Sequence, residues 1–191
     1  MRAEAAGDPG PWRQQAILGR THWGPTVFGC QAPDSGNAEI LARFGTAEHK
    51  ERYLKPLLEN EIVSCFSMTE PGAGADPTLL TTNAVLDGDE WVINGHKWFI
   101  SGARGAKFAL LVARTEEDPE LPQAANSCFI VDLPSEGWNI VRDVHTMSGG
   151  HNHCEILIED LDGPHARFES LRVWERYRAL FLMRAKYTQL N

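Results

Sequence analysis

The sequence predicts an α+β fold: helices first, then a β-domain of antiparallel barrel or sandwich type, then one C-terminal helix. Three observations predict it. Apolar residues recur at three- and four-residue steps between Ala38 and Leu54. From Val63 the period shortens to two. Six further short runs then follow, separated by Asp-Gly, Asn-Gly, glycine-rich and proline-containing segments with turn chemistry.

Residues 1–31 begin irregularly through Gly7, Pro9, Gly10 and Pro11, with a short helix expected from Trp12 to Gly19. Asp34-Ser35 offer an N-cap to a helix carrying Ala38, Ile40, Leu41 and Phe44, and Gly45 suits its C′ position. Thr46 caps a second helix with Glu48 in its first turn, where the helix dipole favours an acid. That helix presents Tyr53 and Leu54, and is expected to fail near Pro56, which cannot donate the intrahelical bond.

Strands are expected at Val63–Met68, Leu79–Val85, Glu90–Ile93, His96–Ser101, Phe108–Arg114, Ser127–Asp132 and His153–Glu159. Asp87-Gly88 and Asn94-Gly95 read as hairpin turns. Between the first two strands lies Thr69-Glu-Pro-Gly-Ala-Gly-Ala-Asp76. Gly72 and Gly74 permit positive φ and close approach of a ligand to bare N–H groups, and Asp76 holds the loop's exit through side-chain to backbone bonds. On these residues alone, a tight turn between strands is the simpler reading of the loop.

The loop T-E-P-G-A-G-A-D, followed by W-V-I-N-G-H-K-W-F-I-S-G, resembles the middle β-domain of the acyl-CoA dehydrogenases. The helical segment G-T-A-E-H-K-E-R-Y-L-K-P-L-L-E-N-E resembles the end of that family's N-terminal helical domain. The segments A32-P-D-S-G-N37 and S-C-F-S-M-T-E-P resemble most the subgroup of longer animal proteins that fuse the dehydrogenase to phosphotransferase-like domains. The resemblance implies three parts: residues 1–62 as a partial N-terminal helical domain, 63–160 as the middle β-domain, and 161–191 as a divergent helical tail. The tail carries Leu171, Trp174, Tyr177 and Phe181 at helical steps from Phe168 to about Leu190, where the family would place a four-helix domain. That implies a truncated or alternatively ended form.

By resemblance the cofactor is FAD and the reaction α,β-dehydrogenation of an acyl-CoA thioester. Main-chain groups at Phe66, Met68 and Thr69 would meet the flavin, with the Thr69 hydroxyl toward its pyrimidine side. Phe99 stands where the family usually lays a tryptophan on the flavin, and Ser101 where a threonine reaches N5; Ile100 lies between them. Trp98, opposite Phe99 by strand alternation, reads as core. Gly74 lies in the loop near ribityl and pyrophosphate, and Ala75 replaces the serine that usually contacts the acyl-CoA. The family's catalytic carboxylate comes from the C-terminal domain, and much of its FAD adenine contact from that domain and a neighbouring subunit. No base is therefore assigned, and the chain alone is expected to bind FAD weakly and to be inactive. Implied partners are an acyl-CoA, an electron-transfer flavoprotein or similar acceptor, and further copies or a full-length homologue. The alternative is a non-catalytic interaction module derived from the family.

A net charge of −8 and the lack of a basic stripe argue against nucleic-acid binding. No apolar run approaches the roughly 18 residues of a membrane span. Cys30, Cys65, Cys128 and Cys154 lack C-x-x-C spacing and read as reduced thiols. The expected setting is soluble and intracellular: cytoplasmic in a bacterium, mitochondrial in a eukaryote. His145, His151, His153 and Cys154 are numerous enough for a zinc site, yet no second ligand pair has finger-like spacing, so metal binding ranks below flavin binding.

Overall fold

The computed structural model of the chain describes residues 16–21, 23–115, 126–147, 152–162 and 166–167. The predicted C-terminal helix lies outside them, as do residues 12–15 of the predicted first helix; residues 16–18 are helical. A single helical turn, α1 (Gly24–Val27), precedes α2 (Asp34–Phe44). Asp34 opens α2 without capping it, because its carboxylate is used elsewhere. Its Oδ1 accepts the Ser64 N–H at 2.8 Å and the Ser64 hydroxyl at 2.6 Å, tying the helix to the first strand. Gly45 has φ −68°, so it is not the left-handed C′ residue expected. It serves close approach instead, since a Cβ there would press on the Leu41 carbonyl.

The next helix starts at its predicted cap: the Thr46 hydroxyl accepts the His49 N–H at 3.1 Å, and the His49 ring faces back to the Thr46 N–H. It does not fail at Pro56. It is α-helical over Ala47–His49, π-wound over Lys50–Leu54 and α-helical again over Lys55–Leu58. The wider turn just before Pro56 relieves the clash of its ring with the carbonyl four residues back.

Eight strands form one curled, mixed sheet: β1 (Ser64–Ser67), β2 (Asn83–Asp87), β3 (Glu90–Ser101), β4 (Phe108–Arg114), β5 (Asn126–Asp132), β6 (Trp138–Asp143), β7 (His153–Leu161) and β8 (Ala166–Arg167). Their order is β6-β7-β3-β2-β4-β5-β8, with β1 beside β4. Pairing is antiparallel except between β1 and β4 and at one β2–β4 position. Helices on one side of a mostly antiparallel sheet make the α+β architecture expected.

Three strand expectations need correction. Leu79 belongs to a 3-10 turn (Pro77–Leu79), and the strand begins only at Asn83. Asn94-Gly95 is not a hairpin turn; β3 runs straight through it. The reason is packing: a Cβ at Gly95 would run into the Thr82 side chain, while the Asn94 amide bonds Asp160 on β7 at 3.1 Å. Finally, β6 exists although no strand was expected there.

The core explains the sequence of β4. Ala109, Leu111 and Ala113 face the inside of the curl with Ile93, Ile100, Phe129 and Ile156. Phe108 and Leu110 face the helices, meeting Ile40, Leu41, Tyr53 and Leu57. A strand buried on both faces reads as a continuous apolar run. Each such fully buried large side chain stabilises the fold by about 1.5–3 kcal/mol.

Candidate functional site

The site is organised where the loop after β1 crosses β3. Residues Glu70 and Ala73 exchange two backbone bonds of 3.1 Å, making a tight Pro71-Gly72 turn. Neither Gly72 nor Gly74 has positive φ, contrary to expectation. Around both glycines there is open space where a Cβ would sit, and Gly74 and Ala75 are exposed. Asp76 holds the loop's exit as expected, accepting from the Thr78 N–H at 3.0 Å and hydroxyl at 2.7 Å, bonds that hold its carboxyl below the usual range.

Three consecutive residues of the loop are gripped by β3. Lys97 Nζ donates to the Met68 carbonyl at 2.9 Å, the Trp98 N–H donates to the Thr69 carbonyl at 2.8 Å, and Lys97 Nζ reaches the Glu70 carboxylate at 2.9 Å. A third bond joins Lys97 Nζ to the Val112 carbonyl at 2.8 Å. Lys97 is fully buried, so all three ammonium hydrogens are satisfied inside the protein. Glu70, 4 % exposed, also accepts from Thr81 N–H and hydroxyl and from Thr82 N–H. Burial pushes the Glu70 carboxyl up, but Lys97 and the threonine donors outweigh it and hold its pKa down at about 2. Burial likewise lowers the Lys97 ammonium to about 8, against the pull of Glu70. Both directions leave the pair ionised at neutral pH.

Sequence reasoning passed over Lys97. The signal was present: in an alternating strand it shares the inward row with Ile93 and Gly95, where a lysine requires partners. The missing knowledge was that Glu70, 27 residues earlier, would supply one.

Beyond Lys97 the strand breaks its alternation. Pairing with β7 shifts between Lys97 and Ile100, and Phe99 adopts φ +57°. This bulge places both Lys97 and Ile100 inward, at 0 % and 1 % exposure. Of the intervening pair, Phe99 is exposed and Trp98 half-buried with its indole nitrogen enclosed, their ring centroids 5.8 Å apart. Trp98, which alternation assigns to the core, belongs to none of the core clusters and lies at their margin. Its ring lies 6.2 Å from that of His96 and under the Arg142 guanidinium at 5.4 Å. His96 Nε2 and Arg142 Nε both bond Glu155, and these bonds, that from Arg142 foremost, keep its carboxyl low. Phe99 is 47 % exposed. Ser101 ends β3, and its hydroxyl lies 2.8 Å from Nδ1 of His153, its cross-strand partner on β7.

Of the residues singled out from sequence, the structure brings Thr69, Phe99 and Ser101 to one stretch of β3. Ser101 lies three residues along β3 from Trp98, where Thr69 crosses. Ile100 contributes its side chain to the core. Phe66 is half-buried between the helix-side core and a small cluster of Ala73, Leu80 and Val112, which Met68 also touches. Two concavities lie elsewhere: one of about 350 Å³ at Val27, Phe28, Asp34 and Leu58, and one of about 440 Å³ at Leu80, Thr81, Asn83 and Arg114. Phe99 lines neither of them. No metal-binding cluster occurs among the described residues. Cys65, Cys128 and Cys154 are buried free thiols and Cys30 a half-buried one; burial pushes Cys65 and Cys128 up to about 12.

Comparison with known proteins agrees with the geometry. Residues 65–161 match the family model described as acyl-CoA dehydrogenase, middle domain. Acyl-CoA dehydrogenase family member 11 of Gallus gallus is 39% identical over 155 residues, which are 76% of this chain and 20% of that protein. A putative acyl-CoA dehydrogenase from Mycobacterium abscessus superposes with TM-score 0.72 at 37% identity, covering 77% of this chain and 37% of its own. A structure described as the electron transferring flavoprotein of Acidaminococcus fermentans gives TM-score 0.61 at 34% identity, over 66% of this chain and 33% of its own. The chain thus spans about a fifth to two-fifths of the length of these relatives. No described helix is long and apolar enough to cross a membrane.

Proposed function

The chain belongs to the acyl-CoA dehydrogenase family, and we propose from that premise that it supplies the flavin-facing surface for FAD-dependent α,β-dehydrogenation of an acyl-CoA thioester. One observation carries the reading: the 2.8 Å bond from the Trp98 N–H to the Thr69 carbonyl. It joins the two motifs singled out in the sequence beside the bulge that turns Phe99 out.

The residues fit a flavin. A tricyclic ring needs an apolar surface for one face and hydrogen-bonding groups along its edge. Phe99 offers a half-exposed aromatic ring. Thr69 and Ser101 carry hydroxyls, and the resemblance assigns Ser101 to N5 and Thr69 to the pyrimidine edge. Main chain at Phe66, Met68, Thr69 and Ile100 is assigned to the same surface by resemblance, although the Met68 and Thr69 carbonyls already accept from Lys97 and from the Trp98 N–H. Gly74 and Ala75 lie in the exposed loop, where cofactor phosphates and the thioester are assigned. Bound there, FAD supplies an acceptor for the hydride that leaves the β-carbon as the α-proton is removed.

No described carboxylate is assigned as the base for that proton. Glu70 is sealed beneath the loop by Lys97 and two threonines, and Glu155 is engaged by His96 and Arg142. A base must stand within hydrogen-bond reach of the α-carbon. We therefore read this stretch as one side of a site, inactive in dehydrogenation alone, with oxidoreductase chemistry requiring further residues. An electron-transfer flavoprotein as acceptor and a mitochondrial or cytoplasmic setting belong to the same reading. So does the division at residues 62/63 and 160/161, with 1–62 as helical remnant and 161–191 as divergent tail.

Titration with FAD tests the proposal. The expected result is a perturbed flavin absorption band and quenching of flavin fluorescence by the nearby Trp98, with no bleaching on addition of an acyl-CoA. Ser101→Ala and Thr69→Val should each weaken binding by about tenfold or less, the loss of one polar contact of ~1 kcal/mol. Wild-type chain that leaves the flavin spectrum unchanged at saturating FAD would overturn the assignment.

A further inference from the structure

Ser101 carries one hydroxyl hydrogen, and the structure already spends or frees that hydrogen through His153. Ser101 Oγ and His153 Nδ1 lie 2.8 Å apart, on directly paired residues of β3 and β7. The backbone around the histidine is fixed: its carbonyl accepts the Val144 N–H at 2.7 Å, and the preceding residue, Asn152, accepts the Gly102 N–H through its carbonyl at 2.9 Å. The backbone on both sides of the pair is therefore held by strand hydrogen bonds, and the placement of hydrogens decides what Ser101 presents.

Two placements are possible, and they present opposite faces to a ligand. With the imidazole hydrogen on Nε2, Nδ1 is a lone pair; it takes the Ser101 hydrogen, and Ser101 shows a ligand an acceptor oxygen. With the hydrogen on Nδ1, the ring donates to Ser101 Oγ, and the Ser101 hydrogen is left to be donated outward. An oxidised flavin has a lone pair at N5, whereas the two-electron reduced ring has N–H there. Each placement thus complements one oxidation state.

Resting on the flavin reading of the face, we infer that His153 is a positioning residue that sets the direction of the Ser101 hydrogen bond and so matches it to both oxidation states of the cofactor. No electrons pass through the pair. The imidazole hydrogen moves between Nδ1 and Nε2 by exchange with water, and the Ser101 hydroxyl rotates in response. A serine without this neighbour would carry no bias between donating and accepting; Ser101 carries one that His153 can reverse.

The experiment uses the chain with 15N-labelled histidine and FAD, read by long-range proton–nitrogen correlation of the His153 ring. In the flavin-free chain, Ser101→Ala should move the Nδ1 resonance. With FAD, Nδ1 should be the protonated nitrogen in the oxidised complex and Nε2 after dithionite reduction. His153→Phe should change the ratio of oxidised to reduced FAD affinity by about tenfold, ~30 mV for a two-electron couple, and should do nothing further in a Ser101→Ala background. Melting temperature of each variant distinguishes this from loss of fold. Ring nitrogens unmoved by Ser101→Ala or by reduction, or an unchanged affinity ratio in His153→Phe, overturn the inference while leaving the flavin site standing. Absence of FAD binding in the wild-type chain removes the functional reading and this inference together.

Discussion

Lys97 and Glu70 are the residues on which the site's backbone depends, and their burial makes the dependence measurable. Removing one member leaves the other charge uncompensated inside the protein, which costs about 3–5 kcal/mol. Lys97→Met should therefore lower stability by that amount in chemical denaturation, whereas Lys97→Met/Glu70→Gln should recover most of it. An additive double variant would show that the 2.9 Å pair is not energetically coupled. Acid adds a second test. The Glu70 carboxyl titrates at about 2 in the folded protein against 4.5 in an unperturbed chain. A group with a depressed folded pKa contributes stability that is complete above the unfolded value and is lost as pH falls through the folded one. Thermal melts of the wild type should fall between about pH 5 and pH 2, and Glu70→Gln should flatten part of that limb. An identical acid limb in both proteins would place the linkage on other carboxylates, Asp76 and Glu155 among them.

At the scale of the element, β3 shows which features a two-residue period can and cannot reveal. Its ends are legible: Glu90 and Ser101 were both found. Its middle was misread, because Asn94-Gly95 has the composition of a type I′ turn while its glycine serves a close crossing by Thr82. The bulge at Trp98-Phe99 was equally invisible, since nothing in the residues announces a skipped pairing; yet it decides that Phe99 is exposed and Trp98 only half-buried. β4 was read correctly because burial on both faces leaves an uninterrupted apolar run. β6 was missed because its pattern, partly exposed Trp138 and Ile140 between polar neighbours, is too short to outweigh the flanking turn signals. The glycine reading makes a prediction. Gly95→Ala should destabilise by about 1–3 kcal/mol through overpacking against Thr82. Thr82→Ala in the same chain should restore most of the loss, as measured by urea midpoints. Failure of the second substitution to rescue the first would mean that Gly95 is required for its backbone conformation instead.

Across the whole molecule, the two sides of the curled sheet have different employment. The β1-β4-β5 side is covered by helices: Leu41, fully buried, joins Phe108, Leu110 and Ile130 in one cluster. Tyr53 adds a bond from its hydroxyl to Asp132 at 2.9 Å; burial first, and then this bond, raise its pKa to about 12. The β3-β6-β7 side keeps Phe99 exposed with Trp98 half-buried beside it, and this is where the ligand face is proposed. Such a division requires that helices and sheet fold as one unit, since the sheet side that carries β1 is the same one that aims Thr69 at β3. Leu41→Ala should then cost about 2–5 kcal/mol. With Trp12, Trp23 and Trp174 replaced by phenylalanine, so that Trp91, Trp98 and Trp138 report from the sheet, it should lower the helical far-UV transition and the tryptophan fluorescence transition by the same amount. Loss of helical signal at a lower temperature, with the tryptophan transition unmoved, would show the helices to be an independent attachment. In that case the Asp34–Ser64 bonds and the Phe108 cluster would not be what holds β1, and the geometry at Thr69 would have to be secured by Lys97 and Glu70 alone.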